Sequence, residues 1–337
     1  MPSLSFQRLT PQGPSLEELY RNIQTELALV EEELQKLPRS SNRLIKEINS
    51  YLFHKGGKRI RPALLILAAK LFGYDGNDHI LMATAIESIH TASLIHDDII
   101  DNSALRRGKE SVHARWGANI TVLLGDYLYI KTIGLSIRND NNGIIRLLSE
   151  ASAQMIEGEI MEYDFSRNAD ITEREYFHII RNKTAGLFAA ACRIGGILSR
   201  ASEADLGRLS DYGVGLGMTF QIIDDLLDFI GDPDLMGKPI LSDLGEGRIT
   251  LPMIYALRQD GRAHRDRLLD MITGRPLGDA AKREILEILR DSGALAYAYR
   301  KAEECAARSR EAVSGLPDSP HRATLGQMSD FVLIRNT

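Results

Sequence analysis

Residues 86–101 read IESIHTASLIHDDIID, an apolar segment that closes on three aspartates. Its apolar side chains recur at three- and four-residue steps, which is the spacing of one buried face of an α-helix. A second stretch, residues 220–228, reads FQIIDDLLD and has the same form. Two long apolar helices that each end in an acidic cluster are therefore the first prediction from this sequence.

The helical period extends from these two segments over almost the whole chain. The spacing predicts helices over the ranges 15–37, 41–53, 62–72, 78–101, 118–138, 144–165, 173–198, 202–230, 250–259, 263–273, 279–292, 294–314 and 320–335. Alternating apolar and polar runs joined by hairpin turns are absent, so no sheet is expected. The sequence therefore predicts an all-α fold, a helical bundle of one domain.

The N-terminal residues interrupt this pattern. Residues 1–14 contain Pro2, Pro11 and Pro14 and are predicted to form a flexible tail. Ser15 followed by Glu18 is typical of a capping box, which places the first helix start there. The folded domain is expected over residues 15–337.

The composition excludes several classes of protein. Hydrophobic residues make up 44% and the formal net charge is −5, so no basic surface for nucleic acid is expected. There is no uninterrupted run of about 18 apolar residues, and residues 1–10 lack the pattern of a signal peptide. Cys192 and Cys305 have no metal-ligand spacing and are interpreted as reduced thiols. These observations favour a cytoplasmic protein without a membrane span.

The aspartate clusters carry the chemistry. Asp97 and Asp101 are four residues apart and share one helix face, with Asp98 about 100° round the helix. Like charges at this spacing destabilise a helix by roughly 0.2–0.5 kcal/mol per pair. A bound cation would offset this repulsion, so the cluster predicts a cation site. Oxygen ligands favour a hard ion, Mg²⁺ or its substitute Mn²⁺. A solvated acidic helix end is the alternative, but two copies in apolar helices weigh against it.

Basic and polar groups that could bind a phosphate ester lie near both clusters. The loop GGKRIRP, residues 56–62, enters a helix N-terminus, and RRGK, residues 106–109, follows the first cluster. Lys183 lies in an apolar helix and needs a partner, while Gln221 lies one turn before Asp224. Taken alone, each basic group could be a solvated loop or simple charge balance. His90, seven residues before Asp97, could donate to a phosphate, although a lone histidine is more often a core residue.

Other features are interpreted as structural. These are His96, Trp116 and the acidic run 154–162. There is no nucleotide-binding P-loop, serine-hydrolase elbow or zinc-protease motif.

The motifs, and the order in which they follow one another along the chain, resemble those of the trans-isoprenyl diphosphate synthases, or polyprenyl synthetases. The resemblance covers residues 56–252 and rests on GGKRIRP, HTASLIHDDIID, RRG, KTAGLF, FQIIDDLLD and GKP…D…GRITLP. It implies an all-α bundle around a central cavity, a homodimer, and a reaction in which isopentenyl diphosphate is added head-to-tail to an allylic diphosphate.

The resemblance also implies residue roles. The predicted Mg²⁺ ligands are Asp97, Asp98, Asp101, Asp224, Asp225 and Asp228. The predicted contacts of the allylic diphosphate are Arg106, Lys183, Thr184, Gln221, Lys238 and Arg248. The predicted clamp for isopentenyl diphosphate is Lys58, Arg61, His90 and Arg107. Two positions depart from the family pattern: Arg248 replaces a common lysine, and Leu241 replaces a common glycine, which leaves the path of that loop open.

Three alternatives remain at this point. The chain could be a short-chain farnesyl or geranylgeranyl diphosphate synthase, or the catalytic subunit of a two-component synthase. A terpene cyclase shares the fold, but such enzymes usually replace the second aspartate motif, which is intact here.

Product length depends on the helix before Asp97. One helical turn is about 5.4 Å, close to one isoprene unit, so a bulky residue one turn earlier would stop chain growth. Short-chain relatives commonly place an aromatic residue there, whereas this chain has Ala92 and Ser93. Ile89 is predicted to belong to the floor of the cavity, with Ile86, Met82 and either Tyr129 or Ile133. The prediction is an all-trans product longer than geranylgeranyl diphosphate.

Overall fold

The chain is described by a computed structural model over residues 13–37, 40–53, 57–106, 109–232, 240–259, 262–273 and 278–335. Most of these residues are helical, and the all-α prediction is confirmed. The predicted tail lies almost entirely outside the described residues, but the predicted capping box is present. Ser15 accepts from the backbone of Glu18, whose carboxylate accepts from the backbone of Ser15.

The helices of the first half are α1 Leu16–Leu19, α2 Gln24–Lys36, α3 Arg43–Phe53, α4 Ile60–Leu71, α5 Asp78–Ile100, α6 Val112–Trp116, α7 Ala118–Ile137 and α8 Asn142–Asp164. Those of the second half are α9 Glu173–Ile180, α10 Gly186–Leu198, α11 Glu203–Ile230, α12 Ser242–Glu246, α13 Leu251–Arg258, α14 Arg262–Thr273, α15 Asp279–Asp291, α16 Ala294–Ser314 and α17 Pro320–Ile334. Most bounds agree with the apolar period to within two residues.

The prediction that no sheet occurs was wrong in one place. Leu105–Arg106 and Lys109–Glu110 form an antiparallel hairpin of two residues per strand. So short a pair offers no alternating pattern to recognise in the sequence. Two short helices, α6 and α12, also fall where connections were expected.

Two predicted helices are interrupted. The first is split by a 3₁₀ turn at Arg21–Ile23, and the helix predicted over 173–198 contains a π-helical turn at Arg181–Ala185. Hydrophobic spacing does not distinguish these turns from regular helix, because each is only three to five residues long and establishes no period of its own. π-Turns inside helices are frequently found at functional sites.

The core has two parts. The first surrounds α4 and α5, where Leu64–Leu67 have no exposed surface, and the second surrounds the end of α11 with α13, α15 and α16. α10 packs against both α4 and α11 and so joins the two parts. Each fully buried leucine contributes about 1.5–3 kcal/mol, so this packing holds α5 and α11 in place.

Helix α7 is apolar on an exposed face. Among the described residues it is the one helix long and apolar enough to cross a membrane, with a mean hydropathy of 1.4. It packs along α5, and 39% of its most apolar window is buried. The rest of its apolar surface therefore remains uncovered in this single chain.

Candidate active site

The ends of α5 and α11 meet at one cavity of about 650 Å³. Its acidic lining comes from both clusters, and its cationic lining comes from three different segments. The cluster acids are Asp97, Asp101, Asp224 and Asp225, the other acids are Glu162, Asp243 and Glu246, and the cations are Arg106, Lys183 and Arg248. Two motifs more than a hundred residues apart in sequence thus face one space.

The first cluster is held by arginines. Asp98 is buried and accepts from Nε of Arg106 at 2.6 Å, while Asp101 accepts from Arg248 at 3.0 Å. Burial and the neighbouring negative charge of Glu159 raise the pKa of Asp97 to about 7. Accumulated negative charge of this kind is relieved when a cation binds.

The second cluster is held mainly by neutral donors. Asp225 accepts from the hydroxyl of Tyr176 at 2.6 Å and from the amide of Gln221 at 2.8 Å. Burial and the charge of Asp243 raise the pKa of Asp225 well above its ordinary value. Asp224 is the most open of the three, and it accepts from Arg335 at 3.0 Å.

Asp228 differs from the other acids of its cluster. It is almost fully buried and accepts from the hydroxyl of Ser242 at 2.5 Å and from the backbone N–H of Asp243 at 3.1 Å. Asp228 therefore holds the start of α12. Like Asp98, it does not line the 650 Å³ cavity, so four of the six predicted acids reach that space.

Lys183 lies in the π-turn and projects toward α8. Its Nζ is 2.6 Å from Glu159 and 2.5 Å from Glu162. A side chain at Gly158 would meet the Lys183 backbone at 2.5 Å, so this close approach needs glycine. The acidic run 154–162 was interpreted as structural; its Glu162 also lines the cavity.

A chain of hydrogen bonds joins the π-turn to the second cluster. The Thr184 hydroxyl donates to Gln221 at 2.8 Å, and Gln221 in turn donates to Asp225. Thr184 is buried, so its contribution to the site is to hold Gln221 in place. This geometry brings the predicted Thr184 and Gln221 together.

Arg248 connects three acids. It donates to Asp101 at 3.0 Å and to Asp243 at 2.9 Å, and it pairs with Glu246. A lysine could not bridge in this forked way, so the departure from the family pattern has a structural use.

The second departure, Leu241, keeps the left-handed backbone that a glycine would favour, with φ 59°. This conformation costs a residue with a side chain roughly 1–2 kcal/mol. Leu241 is 1% exposed in the core, and its burial offsets that cost. The path of the loop at this position therefore survives the loss of glycine.

The predicted isopentenyl clamp is only partly assembled. His90 lines a second cavity of about 220 Å³ together with Arg59, Arg106 and Asp98. Neither Lys58 nor Arg61 is among the described residues that line it. The Arg61 guanidinium instead lies 4.5 Å from the ring centre of Phe188, and complete burial lowers its pKa to about 10. Arg107 and Lys238 lie outside the described residues.

Arg59 was quoted in the motif but given no role. It adopts a left-handed backbone at the start of α4 and donates to Glu87 at 2.6 Å, and it also pairs with Glu31. These two acids come from different helices, so the sequence alone could not assign them.

The predicted chain-length positions lie on α5. Ala92 is fully buried, Ile89 belongs to the core, and the Ser93 hydroxyl donates to the His90 carbonyl at 2.9 Å. Burial, followed by the negative charge of Asp97, raises the pKa of Tyr129 to about 12. Ile133 is 51% exposed, so its predicted place in the cavity floor was wrong for this single chain.

Several residues of the site were missed. They are Glu159, Glu162, Tyr176, Asp243 and Arg335. Glu159 and Glu162 are one helical turn apart, a spacing that could have indicated a shared face. Arg335 comes from beyond α17, and no local pattern connects it to Asp224.

Mg²⁺ fits this site. Among the described residues, no three His, Cys, Asp or Glu side chains are close enough to hold a metal ion by themselves. Mg²⁺ usually takes one or two carboxylates and completes its shell with phosphate oxygens and water. Asp97, Asp101 and Asp224 line the cavity and supply carboxylates that match that preference.

The comparison with known families decides the classification. The family described as polyprenyl synthetase matches residues 42–289. The chain belongs to the polyprenyl synthetase family. It is therefore a prenyltransferase, and its fold is that of the family.

Relatives within the family differ in their products. The chain is 36% identical over 297 residues to the octaprenyl diphosphate synthase of Escherichia coli, covering 88% of this chain and 92% of that protein. It is 37% identical to a short chain isoprenyl diphosphate synthase of Methanothermobacter thermautotrophicus, covering 85% and 89%.

Among solved structures, the polyprenyl synthase of Caulobacter crescentus, in complex with calcium and isoprenyl diphosphate, has a TM-score of 0.92. It is 33% identical, and the similarity covers 97% of this chain and 99% of that one.

Proposed function

We propose that this chain condenses isopentenyl diphosphate head-to-tail with an allylic diphosphate, with Mg²⁺ as cofactor, to make an all-trans polyprenyl diphosphate longer than geranylgeranyl diphosphate. The single observation that carries the proposal is the 650 Å³ cavity, where acids from both clusters face Arg106, Lys183 and Arg248. Mn²⁺ is expected to replace Mg²⁺.

Asp97, Asp101 and Asp224 would hold Mg²⁺, which stabilises the negative charge of a departing diphosphate when bound. Lys183 and Arg248 would meet the remaining oxygens by exchanging part of their present carboxylate contacts for phosphate contacts. The carbon–oxygen bond of the allylic substrate would then ionise, because Mg²⁺, Lys183 and Arg248 would neutralise the charge of the diphosphate leaving group. The predicted second substrate would lie beside it, on the side of His90 and Arg59.

The test is turnover by the purified chain. We expect it to incorporate radiolabelled isopentenyl diphosphate into lipid only when an allylic diphosphate and Mg²⁺ are both present. Activity of the chain alone would exclude the need for a second subunit. A cyclic hydrocarbon product, or no incorporation with any allylic diphosphate, would contradict the proposal.

Product length is supported by the small residues one turn before Asp97 and by the similarity to an octaprenyl diphosphate synthase. Ser93→Phe should shorten the product, because the ring would occupy the path of the growing chain. Ser93→Ala is the matched control and should keep the product length. A wild-type product no longer than geranylgeranyl diphosphate would contradict this part of the proposal.

We also propose a homodimer formed through α7 and α8. Both helices carry exposed apolar residues, which form a dimer face in this proposal. They are Val122, Leu123, Ile130, Ile133, Ile137, Ile156 and Ile160. Identical faces on two copies bury each other around a twofold axis.

Ile130→Glu should convert a dimer into a monomer of 37.5 kDa in light scattering, whereas Leu29→Glu on α2 should not. A monomeric wild-type protein would contradict the homodimer.

A cytoplasmic location is proposed as well, and it is supported by the free state of both cysteines.

A further inference from the structure

The hairpin that carries Arg106 is too short to hold its own shape. It contains two residue pairs, Leu105 with Glu110 and Arg106 with Lys109. Isolated two-stranded hairpins are marginally stable even when they are longer than this. Yet Arg106 lines both cavities and pairs with Asp98, so its position matters to both substrates. Something outside the hairpin must therefore hold it.

Tyr51 on α3 makes the required contacts. Its hydroxyl donates to the backbone carbonyl of Glu110 at 2.7 Å. Lys109 lies 5.5 Å from the centre of its ring and the Arg115 guanidinium 4.8 Å from it. Trp116 meets the ring edge-on at 5.1 Å. One side chain thus binds the second strand and the helix that follows it.

The place of Tyr51 in the chain gives this contact a second consequence. α3 ends at Phe53, shortly before the basic segment that contains Lys58 and Arg59. Tyr51 therefore anchors the Arg106 hairpin to α3, whereas Arg59 is held separately by Glu31 and Glu87. It also lines the 220 Å³ cavity, whose other lining residues include Arg59, His90 and Arg106.

We propose that Tyr51 is a positioning residue that anchors the Arg106 hairpin to α3, so that Arg106 keeps its place relative to Arg59 and His90 in the cavity proposed for the isopentenyl substrate. The proposal rests on the function proposed above. Groups from two segments can bind one diphosphate tightly only when their separation is set before the substrate arrives. Tyr51 touches no reacting atom, so its effect is on substrate affinity.

The test compares Tyr51→Ala, which removes the ring and the hydroxyl, with Tyr51→Phe, which keeps the ring. We expect Tyr51→Ala to raise KM for isopentenyl diphosphate about tenfold and Tyr51→Phe about threefold, with kcat little changed. KM for the allylic substrate should change less than about twofold.

Tyr297 offers a matched control. Its hydroxyl also donates, to Glu173 at 2.7 Å, and Arg300 and Lys301 also lie near its ring, but it lines neither cavity. Tyr297→Ala should leave both KM values unchanged. Equal increases of both KM values in Tyr51→Ala, or no increase, would overturn the proposal.

A second measurement needs no turnover. Trp116 is the single tryptophan of the chain, and it lies in this contact. Titration of the wild-type protein with isopentenyl diphosphate alone should change its fluorescence, and the midpoint should move to higher concentration in Tyr51→Ala. An unchanged midpoint would overturn the role of Tyr51. Absence of turnover in the wild-type protein would instead count against the proposed function.

Discussion

The two aspartate clusters have the same sequence form but are held differently. In the first cluster, charged arginines from outside the helix pair with Asp98 and Asp101. In the second cluster, Asp225 and Asp228 accept from uncharged groups: Tyr176, Gln221, Ser242 and a backbone N–H. In the second cluster an arginine, Arg335, pairs with Asp224 alone, whereas in the first cluster arginines pair with two of the three acids.

In both clusters, some acids face the cavity and others bond within the protein. Asp97 and Asp224 face the cavity and are proposed to hold Mg²⁺, while Asp98 and Asp228 are occupied within the protein. Asp97 and Asp101, which share the i,i+4 spacing, both line the cavity. At the same spacing, Asp224 lines the cavity while Asp228 bonds to Ser242 and to the backbone of Asp243 at the start of α12.

The largest expected effect comes from the acids that face the cavity. Asp97→Asn and Asp224→Asn should each lower kcat by at least about 1,000-fold, because each removes a carboxylate that stabilises the departing diphosphate through Mg²⁺. Thermal melting should stay near that of the wild type. Near-normal turnover in either variant would remove the basis for the proposed metal site.

Asp228→Ala should act on stability instead. It leaves the Ser242 hydroxyl and the buried Asp243 N–H without their acceptor, at a cost of about 2 kcal/mol in the free energy of unfolding. Urea denaturation measures this loss. Asp164→Ala, at an exposed acid that ends α8, is the control and should change little. If Asp228→Ala were as stable as the wild type, the supporting role assigned to Asp228 would be wrong.

Arg248→Lys tests whether the first cluster needs a forked partner. Lysine keeps the charge but cannot bridge Asp101 and Asp243 together, so kcat should fall about tenfold with the fold intact. Arg258→Lys, at an arginine that donates to loop carbonyls of residues 170 and 171, is the control. Full activity of Arg248→Lys would show that charge alone is sufficient.

The smallest effect concerns the far end of α5. Burial, followed by the positive charge of Lys70, lowers the pKa of His79 below its ordinary value of 6.5. As the pH falls, His79 therefore takes up a proton at a higher pH in the unfolded chain than in the folded chain. His79 contributes stability that is present above about pH 6.5 and is lost as the pH falls through its folded pKa.

His79→Phe keeps an aromatic ring against Tyr74. In this variant the free energy of unfolding should fall less steeply as the pH is lowered below about 6.5. Denaturant midpoints between pH 7.5 and pH 5 measure it, with His178→Phe at an exposed position as the control. An equally steep decline in His79→Phe would assign the acid sensitivity to other groups.

Much of the helical framework followed from local pattern. Apolar spacing located α5 and α11 almost to the residue, because a helix that is buried on one face must repeat its apolar side chains at the helical period. The acidic clusters and basic segments were also visible in the sequence, because charged residues are unusual within or beside apolar helices. The hairpin at Leu105 and the π-turn at Arg181 were not visible, since neither lasts long enough to establish a period.

The sequence by itself determined the fold class, the family, and the two aspartate clusters with Arg106, Lys183 and Arg248. Only the tertiary structure decided how these groups share their contacts: that Glu159 and Glu162 hold Lys183, that Arg335 reaches Asp224, and that Asp228 is withdrawn into the core. Periodicity records which face of a helix is buried. Which side chain of another helix meets that face depends on how the helices pack, and this information is spread over the whole chain.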